Sequence, residues 1–84
     1  MSDIQLNAIL VGKAITKVRQ EKGITQEVLS GLADIGRTHL SAIERGERKP
    51  TLETLWRIAS ALDMPAHDLV IRIEYEIEME YGRK

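Results

Sequence analysis

The chain has 84 residues, with 12 Lys and Arg against 13 Asp and Glu for a net charge of −1, and it has no cysteine. That length allows one small domain, near the size at which a second subunit helps to complete a core. Lack of cysteine excludes a disulfide frame or thiolate metal site. The longest apolar run, Ala8 to Val11, falls far short of the roughly 20 residues that cross a bilayer, and no secretory signal is read, so a reducing cytoplasm is the expected setting.

Leu10, Val11, Ala14, Ile15 and Val18 recur at helical spacing and predict a first helix that ends at Gly23. Thr25 is a good N-cap for a second helix, Gln26 to Ala33, with Val28, Leu29 and Leu32 on its inner side. Asp34, Ile35 and Gly36 break it, Ile35 serving as an apolar plug and Gly36 lifting steric limits before the next helix.

In that next segment, Arg37 to Arg45, a step of about 100° per residue puts Leu40 and Ile43 on one side. Thr38, Ser41, Ala42 and Arg45 fall on the other, with Arg37 at the leading end. Alone, such a row describes an ordinary solvated helix face. Preceded by a short helix and a three-residue turn, it describes a unit that reads DNA. Small residues let a helix settle into the major groove, arginine can bond guanine bidentately, and Thr and Ser reach base edges or phosphates.

Pro50 and Thr51 start a further helix whose apolar face is Leu52, Leu55, Ile58, Ala59 and Leu62. Asp63, Met64 and Pro65 close it. Trp56 lies at the edge of that face and has no companion aromatics, so it is read as core boundary and not as a base-stacking platform.

The tail alternates strictly: Ile71, Ile73, Tyr75, Ile77, Met79 and Tyr81 interleave with Arg72, Glu74, Glu76, Glu78 and Glu80. This pattern predicts a strand with one apolar face. Asp3 to Leu6 is too short to be a full partner, so the expected partner is the same strand of a second copy, antiparallel about a two-fold axis. Ile71, Ile73, Tyr75, Ile77 and Met79 are then the dimerisation residues. Centring the axis at Glu76 sets Arg72 against Glu80 of the other copy. A helix with mixed faces is the alternative, since Glu and Met favour helix. A strand edge kept for a different protein is another.

Over Leu10 to Leu69 the chain resembles the XRE family, the Cro and phage-repressor type of helix-turn-helix protein. The residues that carry the resemblance include Arg19, Gly23, Thr25, Gln26, Leu29, Ile35, Leu40, Ser41, Ile43, Glu44, Arg45, Gly46, Pro50, Leu55, Ile58 and Leu62. The run SAIERGERKPTLETLWRIASAL is similar to restriction-modification controller proteins and small stand-alone repressors. The resemblance implies a mainly α fold, a five-helix bundle with a short last helix near Ala66 to Val70. To this the tail adds a C-terminal β-strand pairing across a dimer. The expected organisation is a DNA-binding domain over residues 1–70 and a dimerisation tail over 71–84.

By the same resemblance Gln26 contacts a phosphate, Arg37, Thr38 and Ser41 meet bases or nearby phosphates, and Arg45, Arg48 and Lys49 grip the backbone. In related controllers an aromatic at the place of His39 lies near phosphate, which makes His39 a further backbone contact. Glu44 falls on the buried side by angular count, and the family pairs it with the arginine matching Arg19. The chain departs from the family at Ser30, Asp34 and Gly36, where Ala, Gly and a capping Ser, Thr or Asp are usual.

From Lys13 to Lys49 there are eight basic residues against five acidic ones, a local charge of +3 despite the chain's net −1. His39 and His67 have neither metal-ligand spacing nor a nucleophile partner, so no enzyme, metal or cofactor is expected. The leading expectation is a homodimeric transcriptional regulator, repressor or autoregulator, on an inverted-repeat operator in double-stranded DNA. The competing one is an antitoxin that holds a toxin protein and autoregulates its operon.

Overall fold

A computed structural model describes residues 6–82. Its helices are α1 (Ala8–Glu21), α2 (Gln26–Ala33), α3 (Arg37–Glu44), α4 (Leu52–Ala61) and α5 (Ala66–Tyr81). Local chemistry accounts for their starts. The Asn7 side chain caps α1 by accepting from the backbone N–H of Ile9 at 2.8 Å and of Leu10 at 3.3 Å. Thr25 and Thr51 cap α2 and α4 in the same way, each accepting from the N–H three residues on at 3.1 Å. Asp34 ends α2 in the left-handed conformation, φ 58° and ψ 47°, which Asp adopts more readily than most residues. Gly36 opens α3 with no side-chain cap.

Helix α1 packs on α3 and α5, α2 packs on α3 and α4, and α4 packs on α5. Ile15, Leu29, Leu40, Ile43, Ile58, Leu62 and Leu69 are fully buried, so every helix contributes to one core. Two glycines permit the tightest approach. A Cβ on Gly12 would lie 2.3 Å from the Ile43 carbonyl oxygen and 2.6 Å from that of Glu44, so α1 presses directly on the last turn of α3. Gly46, at φ 82°, leaves room for Ile9, whose Cγ1 a Cβ there would meet at 2.6 Å.

Three apolar residues expected inside are outside. Val28, Leu32 and Leu52 are 46 %, 63 % and 73 % exposed. Helix α2 instead turns Leu29, Ser30 and Ala33 inward. Ser30 is buried there because its hydroxyl finds a partner, donating to the Glu27 carbonyl at 3.1 Å.

The expected C-terminal strand is not present. Residues Ala66–Tyr81 form one unbroken helix, and there is no strand among the described residues. Asp3 to Gln5, most of the segment weighed as a strand partner, lie outside the described residues. The five proposed dimerisation residues, one face of a strand, are divided by the helical turn. Ile73 is buried and Ile77 packs on the core, whereas Ile71, Tyr75 and Met79 are 54 %, 53 % and 64 % exposed.

Glu76 moves the other way, from the solvent side of the supposed strand to 3 % exposure, and pairs with Lys17 Nζ at 2.8 Å. Arg72, expected opposite Glu80 of another copy, forks onto Glu21 at 2.9 and 2.7 Å. The physical reason is hydrogen bonding. A helix pairs its backbone groups internally, whereas a lone strand leaves them open. Two ion pairs with α1 then hold α5 in place.

Candidate nucleic-acid interface

The outer face of α3 follows from its inner one. Leu40 and Ile43 are both completely buried, and this fixes the helix's rotation about its own axis. Arg37, Thr38, Ser41 and Arg45 consequently share the opposite side, where they line a shallow recess of about 250 Å³. These are the residues that sequence reasoning assigned to base and phosphate contacts. His39 is half-buried and does not line the recess.

The remaining candidates are dispersed. Arg48 is exposed on the loop after α3. Lys49 borders a different feature, a groove formed with Leu6, Pro50, Val70 and Ile77. Gln26 is half-buried, and its amide donates to Glu44 Oε1 at 2.9 Å. It therefore serves the scaffold in addition to whatever its exposed edge meets.

Glu44 is the centre of that scaffold. Arg19 approaches it through Nε at 2.8 Å and Nη2 at 3.0 Å, and donates from Nη1 to the Ile24 carbonyl at 2.9 Å. Side-chain exposure is 13 % for Arg19 and 4 % for Glu44, so the pair sits largely out of water. Helices α1, α2 and α3 meet at this one carboxylate. The Arg19 partnership is the one the resemblance implied; the Gln26 bond is additional.

Sequence reasoning passed over two further contributors. Arg57 on α4 reaches Asp34 Oδ2 at 3.3 Å and Glu53 Oε2 at 3.1 Å, tying the turn between α2 and α3 to α4. Its i, i+4 spacing from Glu53 was the available signal. Glu47, just past α3, takes a two-pronged bond from Arg45, with Nε at 2.8 Å and Nη2 at 3.0 Å. That hydrogen-bonded pairing raises the guanidinium's pKa and holds the Glu47 carboxyl below its usual range. Arg45 Nη1 also donates to Ser41 Oγ.

No cluster of His, Cys, Asp or Glu among the described residues could hold a metal ion, and no described helix is long and apolar enough to cross a membrane. The outer side of α3 offers hydrogen-bonding side chains on a clamped helix.

Comparison with known proteins agrees with that chemistry. The family model described as helix-turn-helix matches residues 15–69. An uncharacterized HTH-type transcriptional regulator of Sinorhizobium fredii, y4dJ, is 41 % identical over 61 residues, covering 73 % of this chain and 79 % of its own. The control protein C.MunI of a Mycoplasma species is 34 % identical over 77 residues, 90 % of this chain and 100 % of its own. The crystal structure of the restriction-modification controller protein C.AhdI from Aeromonas hydrophila superposes with a TM-score of 0.73 at 29 % identity, over 77 % of this chain and 98 % of that one. Some relatives are longer, and the chain spans only 47 % of a Deinococcus deserti regulator. With its helix pair, left-handed turn and paired Arg19 and Glu44, this chain belongs to the XRE-type helix-turn-helix family of DNA-binding transcription regulators.

Proposed function

We propose that the protein is a sequence-specific repressor and autoregulator that binds an inverted-repeat operator as a homodimer. The observation that carries this reading is the row Arg37, Thr38, Ser41 and Arg45 on the outer side of α3. All four are hydrogen-bonding groups on a helix whose opposite side is locked into the core, so they can enter a groove as a unit. The mechanism is occupancy: the operator-bound protein denies polymerase its site, and no cofactor or catalytic group takes part.

One eight-residue helix reads only a few base pairs, and two copies read an inverted repeat with half-sites about 34 Å apart. The apolar surface of α4 and α5 supports association. Leu52 and Trp56 are 73 % and 63 % exposed, Met64, Pro65 and Ala66 gather beside Trp56, and a groove of about 260 Å³ lined by Leu55, Val70 and Ile77 lies on the same helix pair. Leu52 and Met64 both adjoin Trp56, and an exposed apolar cluster of this kind fits an interaction site. Replacing Leu52 and Trp56 together by Glu touches no buried group. It should give a folded monomer in sedimentation, and an unchanged dimer would exclude this face.

Capture of fragmented genomic DNA by the purified protein at near-physiological salt, followed by sequencing, tests the function itself. A few sites sharing an inverted repeat, one of them upstream of the protein's own gene, is the expected result. Retention of nothing above background would refute sequence-specific binding.

A further inference from the structure

Arg45 stands at the end of the recognition row, and what holds it is the least expected contact on that face. A guanidinium grips phosphate or carboxylate best through two parallel N–H bonds from one edge. In this protein that edge is occupied: Nε and Nη2 of Arg45 meet the two carboxylate oxygens of Glu47 at 2.8 and 3.0 Å. The remaining nitrogen, Nη1, is directed back along α3 to Ser41 Oγ. Ser41 in turn lines the recess with Arg37 and Thr38.

We propose that Glu47 is a specificity-determining residue, which fills the phosphate-gripping edge of Arg45 and so turns that guanidinium from a backbone clamp into a reader of base edges. The inference rests on the DNA-binding reading above. Phosphates are present on every sequence, and each one neutralised adds affinity that carries no information. For Arg45 to seize a phosphate through its two-pronged edge it must give up a carboxylate of like charge and like geometry, so the exchange gains little. The Nη1 side stays aligned with Ser41, where a donor meets whatever base edge the groove presents. Glu47 and Arg45 are both more than half exposed, at 58 % and 54 % of the side chain, so the pair stands where DNA can reach it. Salt weakens such a pair but leaves its geometry available when the DNA excludes water from the interface.

Four full-length proteins decide the matter: the wild type, Glu47→Gln, Arg45→Gln and the double variant. Each is titrated with an operator fragment recovered by the genomic capture and with a scrambled fragment of equal length, at several salt concentrations. Glu47→Gln should bind the scrambled fragment several-fold more tightly, with a salt slope steeper by about one phosphate contact, and the ratio of operator to scrambled affinity should fall several-fold. In the Arg45→Gln background the same change should leave that ratio where it was. An unaltered ratio in Glu47→Gln overturns the inference. So does an equal fall in both backgrounds, since Glu47 would then act by repelling phosphates without Arg45. Loss of the operator preference in the wild type itself is a different failure: it removes the DNA-binding reading, and the inference with it. The free protein gives an independent check, because the Arg45 Nε–H resonance should shift in Glu47→Gln, and an unmoved resonance also overturns the proposal.

Discussion

Replacing Glu44 by Ala should cost more than any surface change on this protein, and the cost can be worked from its contacts. The side chain is 4 % exposed and takes three hydrogen bonds, two from Arg19 and one from Gln26. Its removal leaves the Arg19 guanidinium, itself 13 % exposed, with only the Ile24 carbonyl. Breaking a buried pair by deleting one partner costs about 3–5 kcal/mol, because the survivor's charge goes uncompensated. A chain of this length has a total stability of about 4–13 kcal/mol, so the variant is partly unfolded at the lower end of that range. With a urea slope of about 1 kcal/mol per molar, the midpoint should drop by about 3–5 M, or the variant should be partly unfolded without urea, read by far-ultraviolet circular dichroism. Glu44→Gln keeps the shape and one acceptor and should fall between. Replacing the pair together, Arg19→Met with Glu44→Leu, should recover most of the loss, because no charge is then stranded. A loss below about 1 kcal/mol for Glu44→Ala would refute the view that this carboxylate clamps α3.

Gly12→Ala should destabilise by at least about 1–3 kcal/mol, since its methyl would press on the Ile43 and Glu44 carbonyl oxygens, which are backbone and cannot swing aside; an unchanged thermal midpoint would show that α1 and α3 slide apart freely. Arg37→Ala should weaken operator binding by about 1–3 kcal/mol and relax sequence preference at one position, whereas uniform weakening on all DNA would make Arg37 a phosphate contact. Glu21 is held below its ordinary carboxylate value of 4.5 by the hydrogen bonds from Arg72. Its contribution is therefore present above that value and lost as pH falls through the lowered one. Glu21→Gln should be less stable than wild type near neutrality, and the difference should vanish in acid and shrink in high salt. An equal gap at all pH values would refute the linkage.

Much of the fold was legible because its signals are local. The five apolar residues read for α1, and Leu40 and Ile43 of α3, are all buried where helical spacing put them. Thr25 caps α2, and Asp34 makes the left-handed turn. The recess of Arg37, Thr38, Ser41 and Arg45 was readable for the same reason, since a short helix with two inward residues has only one outer side. Lys49 and Gln26 were less so. Where a long side chain goes depends on what stands beside it, a groove for Lys49 and the Glu44 carboxylate for Gln26. Gly12 carried a signal that went unused: a glycine inside a helix weakens it and calls for a reason in packing.

The tail shows where local reading stops. From Ile71 onward, apolar residues at alternate positions satisfy a period of two, and Leu69, Ile73 and Ile77 equally satisfy a helical step. Periodicity does not decide between them, although Glu and Met within the segment favour helix. The tertiary contacts fit the helix: Leu69, Ile73 and Ile77 face the core, and Lys17 and Glu21 on α1, more than fifty residues earlier, meet Glu76 and Arg72 one helical turn apart on the same side. By itself the sequence determined the turn, the Thr25 cap and the outer face of α3, because each depends on neighbours within a few positions. The tertiary structure alone decided that the last sixteen helical residues close the bundle, because a helix satisfies its own backbone while α1 supplies the charges that its buried side requires.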